Sequence, residues 1–123
     1  MVEIISVAIG GMIGVMLRYG VTITVPSEWV LWVVNGIGSA ILGVLNGLFV
    51  RYKPANSLRL FLTTGMLGAF TTFSTFSASW LALMQTSTLL AIVYAIMMTG
   101  VCVALASFGY LCTVPKVKAG ERL

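Results

Sequence analysis

Within residues 65–79, GMLGAFTTFSTFSAS, six side-chain hydroxyls fall in the last ten positions: Thr71, Thr72, Ser74, Thr75, Ser77 and Ser79. Other polar side chains within apolar surroundings are Arg18, Asn35 and Asn46. These groups are neutral or cationic and rich in N–H and O–H donors, an inventory that suits an anion. The acidic counterpart is missing. Histidine is absent, and the only carboxylates, Glu3, Glu28 and Glu121, lie at the ends of apolar segments or beyond them. Proton relays and cation sites inside membranes use Asp, Glu or His at depth. The same absence leaves no general acid or base, no metal-ligand cluster and no activated nucleophile, so the chain is not expected to be an enzyme.

Phe70, Phe73 and Phe76 recur every three residues, which on a continuous helix puts them on one face beside the hydroxyl rows. A packing stripe is the ordinary explanation. A phenyl ring also has a positive edge, however, and rings turned edge-on beside amide and hydroxyl donors stabilise an anion without the deep trap of a full charge. Conduction requires weak, multiple sites of that kind. Arg18 costs about 2.5–3.5 kcal/mol at mid-helix on the insertion scale, less where it reaches a water-filled vestibule. Position alone leaves vestibule and interfacial anchor equally open for it.

The elements that carry these groups are membrane-spanning helices. The chain has 123 residues, 59% of them hydrophobic and 8% charged, and its mean hydropathy is +1.07. A soluble domain is about 25% charged. Four apolar segments, about 2–24, 29–50, 58–84 and 87–113, are separated by turn-forming or charged stretches at 26–28, 51–57 and 85–87. Each is long enough to cross about 30 Å of hydrocarbon. The expected fold is therefore all-α and integral to the membrane, one transmembrane domain over 1–123. Residues 2–17 lack a basic n-region and an A-x-A site, which favours a retained helix over a cleaved signal.

Hydrocarbon does not select six hydroxyls in ten residues. A third helix broken near its middle can use them to satisfy freed backbone groups, and Gly65 and Gly68, just before them, favour such a break. Thirteen glycines in so short a chain point to close helix contact, with GxxxG pairs at Gly10/Gly14 and Gly43/Gly47 and further thinning at Gly36 and Gly38. Trp29, Trp32, Tyr52 and Tyr110 lie near segment ends, as interfacial anchors do. Cys102 and Cys112 stand about 15 Å apart along one helix and are expected as free thiols.

The net charge is +4, but the basic residues flank apolar segments and form no stripe beside aromatics, which argues against a nucleic-acid partner. With four crossings, Arg51, Lys53, Arg59, Lys116, Lys118 and Arg122 share one side and Arg18 has the other. By the positive-inside rule this predicts cytoplasmic termini.

GGMIGVMLRY in the first segment, VNGIGSAILG in the second and GAFTTFSTFS in the third resemble the Fluc/CrcB family of fluoride channels. TTFSTFS after a glycine-rich turn is the most specific element, and the three pieces keep the family's order and spacing. The resemblance implies a channel for fluoride export across the bacterial plasma membrane. It implies four-helix chains paired antiparallel, one inverted relative to the other, with two pores built by both. In the family, phenylalanines matching Phe73 and Phe76 present ring edges to fluoride, and an asparagine matching Asn35 donates from the second helix. A helix–helix hydrogen bond is the competing role for Asn35. Ser74, Thr75 and Tyr94 are implied as polar lining. A structural sodium ion at the dimer centre is implied on the carbonyls of Gly68 and Thr71.

Three positions depart from the family's pattern: Ser79 stands where many members carry glutamate, and Met98 and Cys102 stand where serines are common. The charge bias is a further anomaly, since a chain that inserts both ways should show almost none. It suggests a fixed orientation and an oppositely oriented paralogue as partner, with self-dimerisation as the alternative. A small multidrug exporter shares the size and spans but needs a glutamate well inside the first helix, where this chain has only Glu3. A non-transporting structural subunit has no use for the hydroxyl and phenylalanine constellation.

Overall fold

A computed structural model describes residues 1–115, all of whose regular structure is helical. α1 spans Val2–Thr24 and stops where Pro26 cannot continue it; α2 spans Ser27–Tyr52, with Pro26 as its N-cap in extended geometry. Lys53, left-handed at φ 45°, closes α2 through its N–H to the Phe49 carbonyl at 3.0 Å, and Pro54 then forbids further helix. The chain re-enters helix as α3 (Asn56–Leu60), widens into a π-helical turn (Phe61–Leu67) and ends in the short α4 (Gly68–Phe70). Thr71 and Thr72 are extended, with ψ of 159° and 113°. Helix resumes as α5 (Phe73–Thr86), and α6 covers Thr88–Thr113 after a turn at Ser87, whose Oγ accepts from the Leu90 N–H at 3.4 Å.

Three helices, α1, α2 and α6, are long and apolar enough to cross a membrane. Residues 58–84 do not form one helix. They are divided between the stretch 56–70 and α5, neither of which reaches spanning length alone. Lys116, Lys118, Glu121 and Arg122, on which part of the expected orientation rests, lie outside the described residues.

Two backbone-to-backbone seams hold the helices together. A Cβ on Gly10 or Gly14 would collide with the Phe61 or Met66 carbonyl, and one on Gly65 would lie 2.7 Å from the Val7 carbonyl, so α1 and the π turn meet main chain to main chain. On the other side α2 meets α6: a Cβ on Gly43 would strike the Ala106 carbonyl, and one on Gly109 would lie 2.6 Å from the Ala40 carbonyl. Thr113 ties this seam by donating to the Val44 carbonyl at 3.1 Å. Seams of small residues suit helices in lipid, where dispersion replaces the hydrophobic drive. Asn56 Nδ2 donates to Glu3 Oε1 at 2.6 Å, fixing the start of α1 beside the start of α3.

Several details differ from the sequence reading. The interruption falls at Thr71 and Thr72, in the middle of 58–84 and three residues after Gly68; no positive φ is used at Gly65 or Gly68, and Gly65 is small for the sake of close contact. The π turn is not visible in hydrophobic spacing. Phe70 does not share a face with Phe73 and Phe76, because two extended residues intervene and its ring is buried, with Cδ1 3.4 Å from where a Gly38 Cβ would sit. Trp32 turns inward and meets Tyr94 edge-on at 5.9 Å instead of serving only as an anchor.

Candidate functional site

The interruption at Thr71 and Thr72 exposes main-chain groups that must find partners away from water. Thr71 Oγ1 donates back to the Leu67 carbonyl at 2.9 Å, where the Thr71 N–H also ends at 3.0 Å. Asn35, on α2, serves Thr72 as a neighbouring strand would: Thr72 N–H donates to Asn35 Oδ1 at 2.9 Å, and Asn35 Nδ2 donates to the Thr72 carbonyl at 3.3 Å. Thr72 then caps α5, its Oγ1 accepting from the Thr75 N–H at 3.2 Å and bonding the Thr75 hydroxyl at 2.9 Å. Ser74 Oγ adjoins the same oxygen at 3.2 Å. Ser77 bonds the Phe73 carbonyl at 3.0 Å. The hydroxyl density of the segment thus has a local cause: three of its members satisfy backbone at the break and in the first turn after it.

This network diverts two amides. In an unbroken helix the Thr72 N–H would meet the Gly68 carbonyl and the Thr75 N–H the Thr71 carbonyl. Both are engaged elsewhere, with Asn35 Oδ1 and Thr72 Oγ1 respectively, which frees the two carbonyls. Gly68 and Thr71 border one cavity of about 440 Å³, together with Asn35, Phe73 and Phe76. Carbonyl oxygens are the ligands a hard cation takes, so these two could contribute to holding one.

A second cavity, of about 810 Å³, is bordered by Arg18, Thr75, Ser79 and Tyr94. Thr72, 8% exposed, borders both cavities, so the Asn35–Thr72 pair stands where they adjoin. The aromatic rings run alongside. Phe73 and Phe76 are 5.7 Å apart with planes 35° from parallel, and Phe76 stacks on Tyr94 at 5.7 Å. Phe73 is 79% exposed and Phe76 half-buried.

The structure therefore groups Asn35, Gly68, Thr71, Phe73 and Phe76 at one cavity and Arg18, Thr75 and Tyr94 at the other. Ser74 borders neither and joins the site through Thr72. Asn35 fulfils its competing role, a hydrogen bond between elements, yet one of its two amide hydrogens remains for a ligand. Thr72, Ser39, Thr63 and Thr99 also border the smaller cavity and are not among the residues that the sequence singles out for the site. Thr72 was discernible as an N-cap, a threonine three positions before Thr75 opening a helical stretch. For the other three there was no signal beyond a hydroxyl in an apolar run.

A family model described as CrcB-like protein, Camphor Resistance (CrcB), matches residues 5–110. A fluoride-specific ion channel FluC from Legionella pneumophila strain Lens is 43% identical over 88 residues, 66% of each chain. FluC 2 from Bacillus subtilis strain 168 is 39% identical over 92 residues, covering 72% of this chain and 70% of the relative. FluC from Erythrobacter litoralis is 31% identical over 122 residues, 89% of this chain and 90% of the relative.

Proposed function

Because this chain belongs to the CrcB-like family, we propose that it is a fluoride-specific ion channel that lets fluoride out of a bacterial cell across the plasma membrane. It is a multi-pass membrane protein, with α1, α2 and α6 as crossings. The third crossing in this reading is composite, made of the stretch 56–70 and α5 joined at Thr71 and Thr72. The observation that carries the proposal is the Asn35–Thr72 junction between two cavities, one bordered by Arg18 and the other by two phenyl rings.

Transferring a bare ion into low dielectric costs tens of kcal/mol by the Born estimate, so donors must replace the water of fluoride as it moves. Arg18 offers a passing anion a positive group in the larger cavity, where Glu28 on the same border offsets its charge. The second Asn35 amide hydrogen, the positive edges of Phe73 and Phe76, and hydroxyls from Thr75 and Tyr94 offer partial charges in succession. No full charge is fixed beside Asn35, so the ion is held weakly enough to leave.

Phe73, on an α5 without a single buried residue, needs cover to form a closed path. We assign that cover to a second subunit in inverted orientation, which doubles the path into two pores. The bias of basic residues favours an oppositely oriented paralogue over a second copy and puts the termini in the cytoplasm. A structural sodium ion on the Gly68 and Thr71 carbonyls then sits where two interrupted helices meet, and it serves assembly without taking part in conduction.

Two experiments test this reading. Fluoride-loaded liposomes carrying the protein, alone and with a candidate paralogue, are expected to discharge fluoride but retain chloride; retention of fluoride by both preparations refutes it. Single cysteines placed at each terminus in a background free of Cys102 and Cys112 are expected to label from one side only. Equal labelling from both sides removes the fixed orientation.

A further inference from the structure

We propose that Met98 and Cys102 form a two-sulfur site in the wall of the smaller cavity, which takes a soft monovalent cation such as Ag⁺ or Cu⁺. The two residues stand four apart on α6, one helical turn, and so share one face of it. Both border the cavity shared with Asn35, Phe73 and Phe76. Cys102 is a free, half-buried thiol, and Met98 is 3% exposed while still lining the cavity. Among the described residues neither sulfur takes part in a hydrogen bond. Neither has an assigned part in the fluoride path, since thioether sulfur donates no proton and a thiol donates weakly.

Thiolate and thioether together select soft metals such as Cu⁺. Met98, unbranched with three rotatable bonds, can turn its sulfur toward that of Cys102. Charge decides the valence. When the Cys102 thiol releases its proton to water and the thiolate binds a monovalent cation, the pair is neutral and its burial in an apolar wall is cheap. A divalent cation would leave a net positive charge there, with no carboxylate within α6 to balance it. Oxidation states do not change in this step. Cys112 is the internal control: it is exposed, borders no described cavity and has Phe108 one turn before it.

A cation held there occupies the cavity beside Asn35 and slows fluoride. Only that readout rests on the channel reading; metal binding is measured independently. Purified, assembled protein carrying Cys112→Ser is titrated with Ag⁺ in chloride-free nitrate buffer, desalted and analysed for bound silver. We expect one Ag⁺ per chain, lost in Cys102→Ser and weakened at least tenfold in Met98→Leu. Unchanged affinity in Met98→Leu overturns the two-sulfur site and leaves a lone reactive thiol. Cd²⁺ bound as tightly as Ag⁺ overturns the charge argument. In liposomes, Ag⁺ is expected to slow fluoride efflux at least tenfold in the Cys112→Ser protein and not in Cys102→Ser, with recovery in excess dithiothreitol. Liposomes that retain fluoride before any Ag⁺ is added would refute the channel reading, while the silver stoichiometry still decides the site.

Discussion

Asn35→Asp separates what the amide does for the backbone from what it does for a passing ion. The carboxylate keeps an acceptor for the Thr72 N–H, now at 2.9 Å, but removes the donor that meets the Thr72 carbonyl at 3.3 Å. The structural loss is one hydrogen bond to a buried residue, about 1–3 kcal/mol. The electrostatic loss is larger. A negative charge about 4 Å from a fluoride ion repels it by about 4 kcal/mol at an effective dielectric of 20, close to a thousandfold in rate. Efflux from fluoride-loaded liposomes, followed with a fluoride electrode, should therefore fall by about three orders of magnitude at pH 7. Asn35→Leu supplies the complementary case: both Thr72 backbone groups lose their partner, costing about 2–6 kcal/mol, and the assembled protein should lose thermal stability. The reasoning is refuted if Asn35→Asp conducts within tenfold of the parent protein.

Phe73→Ile and Phe76→Ile each remove a ring edge and should slow efflux by at least tenfold with assembly intact by gel filtration; Phe76→Ile also removes the stack on Tyr94 and should cost about 1 kcal/mol more in stability. Gly14→Ala and Gly43→Ala place a methyl against a carbonyl and should destabilise by about 1–3 kcal/mol, read as earlier thermal unfolding in detergent. Gly11→Ala and Gly100→Ala meet nothing within 4 Å and should be neutral or stabilising by up to about 1 kcal/mol. Arg18→Gln should reduce efflux several-fold at low ionic strength and progressively less as salt is raised, because screening already weakens a charge in an open vestibule.

Helix placement was legible from hydropathy because the bilayer imposes length and apolarity together: the expected 2–24 and 87–113 meet the observed α1 and α6 within a residue at each end. Residues 58–84 were harder. Their hydroxyls announced an irregularity, but its position is fixed by Asn35 from another helix, a tertiary partner that no local pattern contains. Phe70 failed for the same reason, since a three-residue rhythm holds only while the helix continues through it. The glycines at 10, 14, 43 and 47 were read correctly as contact positions, though not that the seam for the first pair would be a π turn. Arg18 was undecidable by position, and its place at the larger cavity follows only once α1, α2, α5 and α6 are arranged around it. Thr72, the residue on which both cavities converge, went unnoticed as a site member among five similar neighbours.

The slender attachment of α5 sets an order of events. Its neighbours are zipped along their length by glycine seams, whereas α5 rests on α6, the Asn35–Thr72 pair and a few ring contacts, with no side chain fully enclosed. Segments with few enclosed contacts exchange their amide hydrogens soonest. By that rule α5 is the part expected to loosen first, ahead of α1, α2 and α6, with the Asn35–Thr72 pair as the tether that limits how far its start can move.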